Sequence, residues 1–175
     1  MTNALFRSDS EDRHHPIEAV RRTLEYNPDN LVTVTPDGMT VDFVFSEDQN
    51  DNTKGQYVGN AVYLNDRSRL VIQIAIKIEI TRHETLLPFH QVFNEYNGHS
   101  VSGFFYYDTG QTSLVWRRPL TLTGDHFISE KVVIDVLHDG CEVFESIRKQ
   151  YNVEAHRPKS RQKSLVGLTP RGRVN

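Results

Sequence analysis

From Leu70 to Ile80 every even-numbered residue is apolar: Leu70, Ile72, Ile74, Ile76, Ile78 and Ile80. The odd positions after Val71 are Gln73, Ala75, Lys77 and Glu79. A helix would scatter the six large side chains around its circumference, whereas an extended strand sets all of them on one face. Period two held this long predicts a strand with one buried and one wet face, the spine of a sheet. Burying the six side chains contributes on the order of 10 kcal/mol before conformational entropy is subtracted. A lone strand has nothing to bury them against, so the rest of the chain must supply neighbouring strands and a covering layer.

Both are legible on either side of the spine. Pro16 suits the first turn of a helix, with Ile17, Val20 and Leu24 at helical spacing and a stop near Asn27-Pro28. Leu31 to Thr35 and Thr40 to Ser46 read as a hairpin about Pro36-Asp37-Gly38, in which Val41, Phe43 and Phe45 share a face. Ser46 to Gly55 is a polar loop, and Tyr57 to Leu64 a further strand turned into the spine by Asn65-Asp66-Arg67-Ser68. Between Thr85 and Tyr96 the period changes: Phe89, Val92, Phe93 and Tyr96 fit a helix with Pro88 in its first turn and Asn97-Gly98 as its stop. Val101 to Asp108 and Thr112 to Leu120 form a second hairpin across Asp108-Thr109-Gly110-Gln111. Ser129 caps a last helix whose apolar stripe is Val133, Val136, Leu137, Phe144 and Ile147. Gly140 inside that helix costs about 1 kcal/mol relative to alanine, which marks a close approach or a kink. The order α-β-β-β-β-α-β-β-α, joined by hairpins rather than βαβ crossovers, predicts an α+β domain: an antiparallel sheet with helices packed on it.

With 175 residues there is material for one such domain, residues 15–151, between tails 1–14 and 152–175. The first 14 residues are polar and read as disordered. The last 25, from Tyr151, hold six Lys and Arg against Glu154 alone, which leaves the preceding 150 residues at a net charge of -8. An acidic body repels nucleic acid and membrane phosphates, so the basic tail reads as a solvated, flexible end. Weak nucleic-acid contact through the tail is an alternative, although no aromatic residues interleave with its cations. No uninterrupted apolar run could span a membrane, and no secretory h-region is visible. A cytoplasmic protein is the expectation. One cysteine, Cys141, excludes an internal disulfide and a cysteine-based zinc cluster.

Leu87-Pro88, the helix end Asn94-Glu95-Tyr96-Asn97, the hairpin FFYYDTGQTSLVWRRPL and the following LTGDHFISEKVVIDVL resemble the YbjN-domain family. The resemblance runs from about Pro16 to Tyr151 and includes an N-x-x-N helix end at Asn94 and Asn97. It implies the type III secretion chaperone fold, helix–three strands–helix–two strands–helix, with the strand at Leu31 as an addition. It also implies a non-enzymatic, cytoplasmic bacterial protein of the kind labelled sensory-transduction regulators. The family brings no catalytic residues with it.

The residues themselves spell out no reaction. Adjacent His14 and His15 sit in the tail and cannot preorganise a metal site. His83 and His90 are split by Pro88, and His138 and Asp139 point about 100° apart on a helix. Cys141 reads as a small buried residue rather than a nucleophile. Walker, G-x-G-x-x-G and G-x-S-x-G motifs are absent. No catalytic residue, metal or cofactor is expected. The hairpin aromatics carry more: Phe104 and Tyr106 must face one way, Phe105 and Tyr107 the other, so one pair lies outside a core covered on one side only. Phe105, Tyr107, Val115 and Trp116 are the candidate protein interface. The expected function is that of a chaperone-like adaptor or regulatory protein, binding a protein partner through its sheet and forming a homodimer. The alternative is a ligand-binding or enzymatic domain with a cleft between sheet and helices, at which His83, His90 or Asp135 would converge.

Overall fold

The computed structural model describes residues 13–46, 56–77, 86–99, 103–124 and 126–151. Its elements in chain order are β1 (Arg13–His14), α1 (Pro16–Glu25), β2 (Leu31–Val34), β3 (Thr40–Ser46), β4 (Gln56–Leu64) and β5 (Arg69–Lys77). They continue with α2 (Leu86–His99), β6 (Phe104–Asp108), β7 (Ser113–Thr121), β8 (Ile128–Ser129) and α3 (Glu130–Tyr151). Six strands form one antiparallel sheet in the order β2-β3-β4-β5-β7-β6, and β1 pairs with β8 in a separate two-stranded ribbon. This is an α+β architecture whose main elements follow the order read from the sequence, with the short strands β1 and β8 as additions.

Local chemistry explains the helix ends. Pro16 opens α1, where a missing N–H costs nothing. Past its C-cap at Tyr26, the Asn30 side-chain amide reaches back 2.8 Å to the Leu24 carbonyl and satisfies one of the orphaned acceptors. At the start of α3 the Ser129 hydroxyl accepts the Val132 N–H at 3.4 Å. In the first hairpin Asp37 accepts from the Met39 N–H and the Thr35 hydroxyl, while Gly38 takes the left-handed φ of 68° that the turn demands.

The helices cover one face, the inner one. On it Val41, Phe43 and Phe45 of β3, Tyr57 and Ala61 of β4, the four even residues Leu70 to Ile76 of β5, Leu114 and Trp116 of β7, and Phe105 of β6 are all buried. Ile17, Val20 and Leu24 of α1 and Val133, Val136, Leu137, Phe144 and Ile147 of α3 meet them. A chain of rings, Phe43–Phe45–Tyr57–Phe144–Phe105, runs across this core with centroids 5.2–5.9 Å apart. Gly140 is the point of closest approach of α3 to the sheet. A Cβ there would lie 2.7 Å from the Trp116 ring and 2.8 Å from Ile74 Cδ1. The glycine marks close packing.

Four features differ from the sequence reading. Arg13 and His14 belong to the fold, because they pair with Ser129 and Ile128 rather than trailing in a tail. The connection from β5 through α2 to β6 is a crossover and not a hairpin: β7 lies between β5 and β6, so these two run parallel. β7 is longer than β6 and buries Ser113 to Trp116, so it takes the interior place and leaves the shorter strand at the edge. α2 runs through Asn97 and Gly98 to His99 instead of stopping there. Finally, the second face of β5 is not wet, since Val71, Gln73 and Ala75 are as buried as their even neighbours. Ile78, Ile80 and the loop 47–55 lie outside the described residues.

Candidate docking surfaces of the sheet

An open sheet can hold another chain by backbone groups along an edge or by side chains across a face. Register decides which backbone groups reach each edge. The Thr35 N–H donates to the Thr40 carbonyl at 2.9 Å, so the ladder bonds of β2 leave from Thr33 and Leu31 on the same alternation. Val32 and Val34 therefore turn their N–H and C=O groups away from β3, along the outer edge. Leu31 at 55% and Val34 at 36% are exposed there.

The opposite edge, β6, is built differently. There the alternation turns Phe105 and Tyr107 outward, and the side chain of Asn97 meets Phe105. Asn97 Oδ1 accepts from the Phe105 N–H at 2.7 Å while Nδ2 donates to the Phe105 carbonyl at 2.8 Å. One side-chain amide thus stands where the peptide of a further strand would stand. Phe93 and Tyr96 of α2 hold the helix in place by ring contacts to Phe105, with centroids 6.1 and 5.0 Å apart. Among the described residues the sheet has its β6 edge closed at the midpoint and no strand beyond β2 at the other edge.

The outer face is ordered in rows. Cross-strand partners set Leu31, Val44, Val58, Ala75, Val115 and Tyr106 in one row, and Thr33, Asp42, Asn60, Gln73, Arg117 and Phe104 in the next. The Tyr106 hydroxyl donates to Gln73 Oε1 at 2.9 Å, two strands away, so its ring lies across Val115. Burial pushes both the Tyr106 phenol and the Asp42 carboxyl above their ordinary ranges. The Oδ1 atoms of Asp42 and Asn60 are buried and have no hydrogen-bond partner. Buried acceptors without donors are costly in a monomer.

The four interface candidates do not form one surface. Phe105, Tyr107 and Trp116 project from the helix-covered face, where Phe105 and Trp116 are fully buried and Tyr107 packs against the core. Val115 is on the other face, wholly covered. Of the four hairpin aromatics Phe104 alone is exposed, at 39%, while Tyr106 and Tyr107 are both half-buried. Alternation divides the four aromatics into two pairs without saying which pair turns inward. The fit of Trp116 beneath Gly140 decides it.

The titratable residues do not converge. His14 faces Glu130 at 3.3 Å, His15 packs edge-on against Tyr63, and His138 lies beside Glu142 at 3.7 Å. Asp135 is exposed on α3, Cys141 is buried, and His83 lies outside the described residues, as does the side chain of His90. Among the described residues no group of three or more His, Cys, Asp or Glu could hold a metal ion. None of the described helices is long and apolar enough to cross a membrane. The basic tail from residue 152 is not described. Asn97 and the pair Asp42–Asn60 escape a reading of the sequence, because an Asn near a helix end resembles a stop signal and cross-strand neighbours depend on register.

These features describe an α+β sheet protein whose β6 edge is closed at Phe105 and whose β2 edge carries no further strand among the described residues. Comparison with protein-family models, curated proteins and solved structures returns no match for the chain.

Proposed function

We propose that this protein is a non-catalytic, chaperone-like adaptor or regulator that works as a homodimer and takes up an extended segment of a protein partner on its sheet. The segment adds as a strand beside β2. Its backbone pairs with the outward N–H and C=O groups of Val32 and Val34, and its side chains alternate between the α1 side and the outer face. What supports this reading is the asymmetry of the two edges: β6 is met by Asn97 at Phe105, while β2 has no strand on its outer side among the described residues and exposes Leu31 and Val34. The resemblance to YbjN-domain proteins points to the same non-enzymatic, cytoplasmic role.

The test uses the full tagged chain as bait in a lysate of its native host, beside Val34→Pro. Proline at an outward edge position removes the donor without breaking the β2–β3 ladder. A protein retained by the wild type should fall at least tenfold with Val34→Pro, at unchanged melting temperature. Equal retention of every captured protein by both chains, or turnover of a small metabolite by the purified protein, would overturn the reading.

A further inference from the structure

The hairpin of β2 and β3 carries charge of one sign only. Between Asn27 and Ser46 stand Asp29, Asp37 and Asp42, with no Lys, Arg or His among them. Asp29 and Asp37 are exposed at the two ends of β2, and Asp42 is the cross-strand neighbour of Thr33. Hydrogen bonds from the Thr35 hydroxyl and the Met39 N–H hold the Asp37 carboxyl below its usual range, so it is a carboxylate at neutral pH. Between these acids Leu31, Thr33 and Val34 are exposed, while Val32 packs half-buried against the core. The sequence holds one counterpart to this pattern. Residues 152–175 contain Arg157, Lys159, Arg161, Lys163, Arg171 and Arg173 against Glu154 alone, and their longest run without charge is 164–170, SLVGLTP. Leu165, Val166 and Leu168 thus lie between cations, as β2 lies between acids.

We propose that residues 164–169 of the same chain dock as a strand along the outer edge of β2, with the flanking cations set against Asp29 and Asp37. The docked segment covers the edge at which the partner's segment adds, so the basic tail is an internal competitor for it. The contact rests on the proposed function for its purpose, but not for its existence. Charge, reach and side-chain fit select this occupant. Cations at both ends of 164–170 meet acids at both ends of β2 in either strand direction, whereas β2 of a second copy would set aspartates against aspartates. The Tyr57 hydroxyl donates to Glu145 at 3.3 Å, so the last turns of α3 pass the start of β4, two strands or about 10 Å from β2. From Glu145 to Tyr151 the helix adds about 9 Å, and residues 152–163 can span up to about 40 Å. A tether of that length holds the segment at an effective concentration on the order of millimolar, enough to fill the edge with a contact too weak for a separate peptide. Alternation then sets Val166 and Leu168 on the α1 side, beside Val32 and Val34, and Leu165 on the outer face with Leu31.

Hydrogen–deuterium exchange on the full chain tests it. At neutral pH and low salt the amides of residues 165–168, and those of Val32 and Val34, should exchange at least tenfold more slowly in the wild type than in Val166→Pro, whose proline interrupts an added strand. Lys163→Glu combined with Arg171→Glu should speed the same amides by a similar factor, as should about 0.5 M sodium chloride in the wild type. Asp29→Lys combined with Asp37→Lys should do the same, and the quadruple variant that exchanges both pairs of charges should regain the protection. Far-ultraviolet circular dichroism checks each chain; if the Asp37 change unfolds the turn, the tail variants carry the test, because they leave the described fold untouched. Tail amides that exchange as fast in the wild type as in Val166→Pro overturn the inference. Protection that appears only as protein concentration rises also overturns it, since the tail then belongs to a second copy. In the lysate capture Val166→Pro should retain at least threefold more partner than the wild type. A protected tail with no protein captured refutes the partner reading alone. Capture that falls with Val34→Pro but is unchanged by Val166→Pro, with fast tail exchange, refutes this inference alone.

Discussion

Replacing Asn97 by alanine removes both bonds to the edge strand at once, the 2.7 Å acceptor and the 2.8 Å donor to Phe105. Each neutral hydrogen bond contributes roughly 0.5–1.5 kcal/mol net. Asn97 is exposed, so water can reach the freed groups and the loss belongs in the lower half of that range. We therefore expect about 1–2 kcal/mol, a fall of about 2–8 °C in melting temperature for a chain of this size. The assay is urea unfolding followed by the emission of the single, fully buried Trp116. Asn97→Asp gives the sharper contrast. At neutral pH its carboxylate still accepts from the Phe105 N–H but repels the Phe105 carbonyl; protonated, it again offers one donor and one acceptor. Its deficit relative to the wild type at the same pH should shrink on acidification, and that of Asn97→Ala should not. Opening the edge at Phe105 should also make Asn97→Ala associate with rising concentration. A stability within about 0.3 kcal/mol of the wild type for Asn97→Ala, with no pH rescue of Asn97→Asp, would refute the idea that this amide closes the edge.

Gly140→Ala gains about 1 kcal/mol in helix propensity but forces a methyl to 2.7 Å from the Trp116 ring, an overpacking cost of about 1–3 kcal/mol. A net loss of about 1 kcal/mol in urea unfolding is expected; a gain would show that α3 can lift from the sheet. Phe144→Ala deletes the ring that joins Tyr57 to Phe105 in the core and should cost about 3–5 kcal/mol by the same assay. Glu18 titrates at about 2 rather than its ordinary 4.5, held down chiefly by its two hydrogen bonds from Arg21 and, more weakly, by the one from Arg22. A lowered carboxyl stabilises the fold above its unfolded value and loses that contribution as pH falls from 4.5 toward 2. Because the pair is well exposed, Glu18→Gln should cost less than about 1 kcal/mol at pH 7, and the difference from the wild type should fade across that window in thermal melts.

Much of this molecule is written in periodicity. The alternation around Leu70 to Ile76 names a central strand, the stripes from Ile17 and from Val133 name two covering helices, and Gly140 announces a close approach. These are local statements, because the geometry of a strand or helix puts residues two or three to four apart on a common face whatever else the chain does. Which face of a strand turns inward is not local. Phe105 and Tyr107 rather than Phe104 and Tyr106 lie under the helices because the Trp116 ring fits below Gly140, across a separation of 24 residues. The placing of β7 between β5 and β6 is likewise a competition between two strands for the buried position. The clamp of Asn97 on Phe105 and the alignment of Asp42 and Arg117 in one row both require a complete register, which no single segment carries. The sequence alone therefore determined the elements and their apolar faces, since those follow from bonds along the chain. The closure of one edge at Phe105 and the rows across the sheet were decided only when six strands paired in one order, because they are relations between backbone groups and side chains that meet through space.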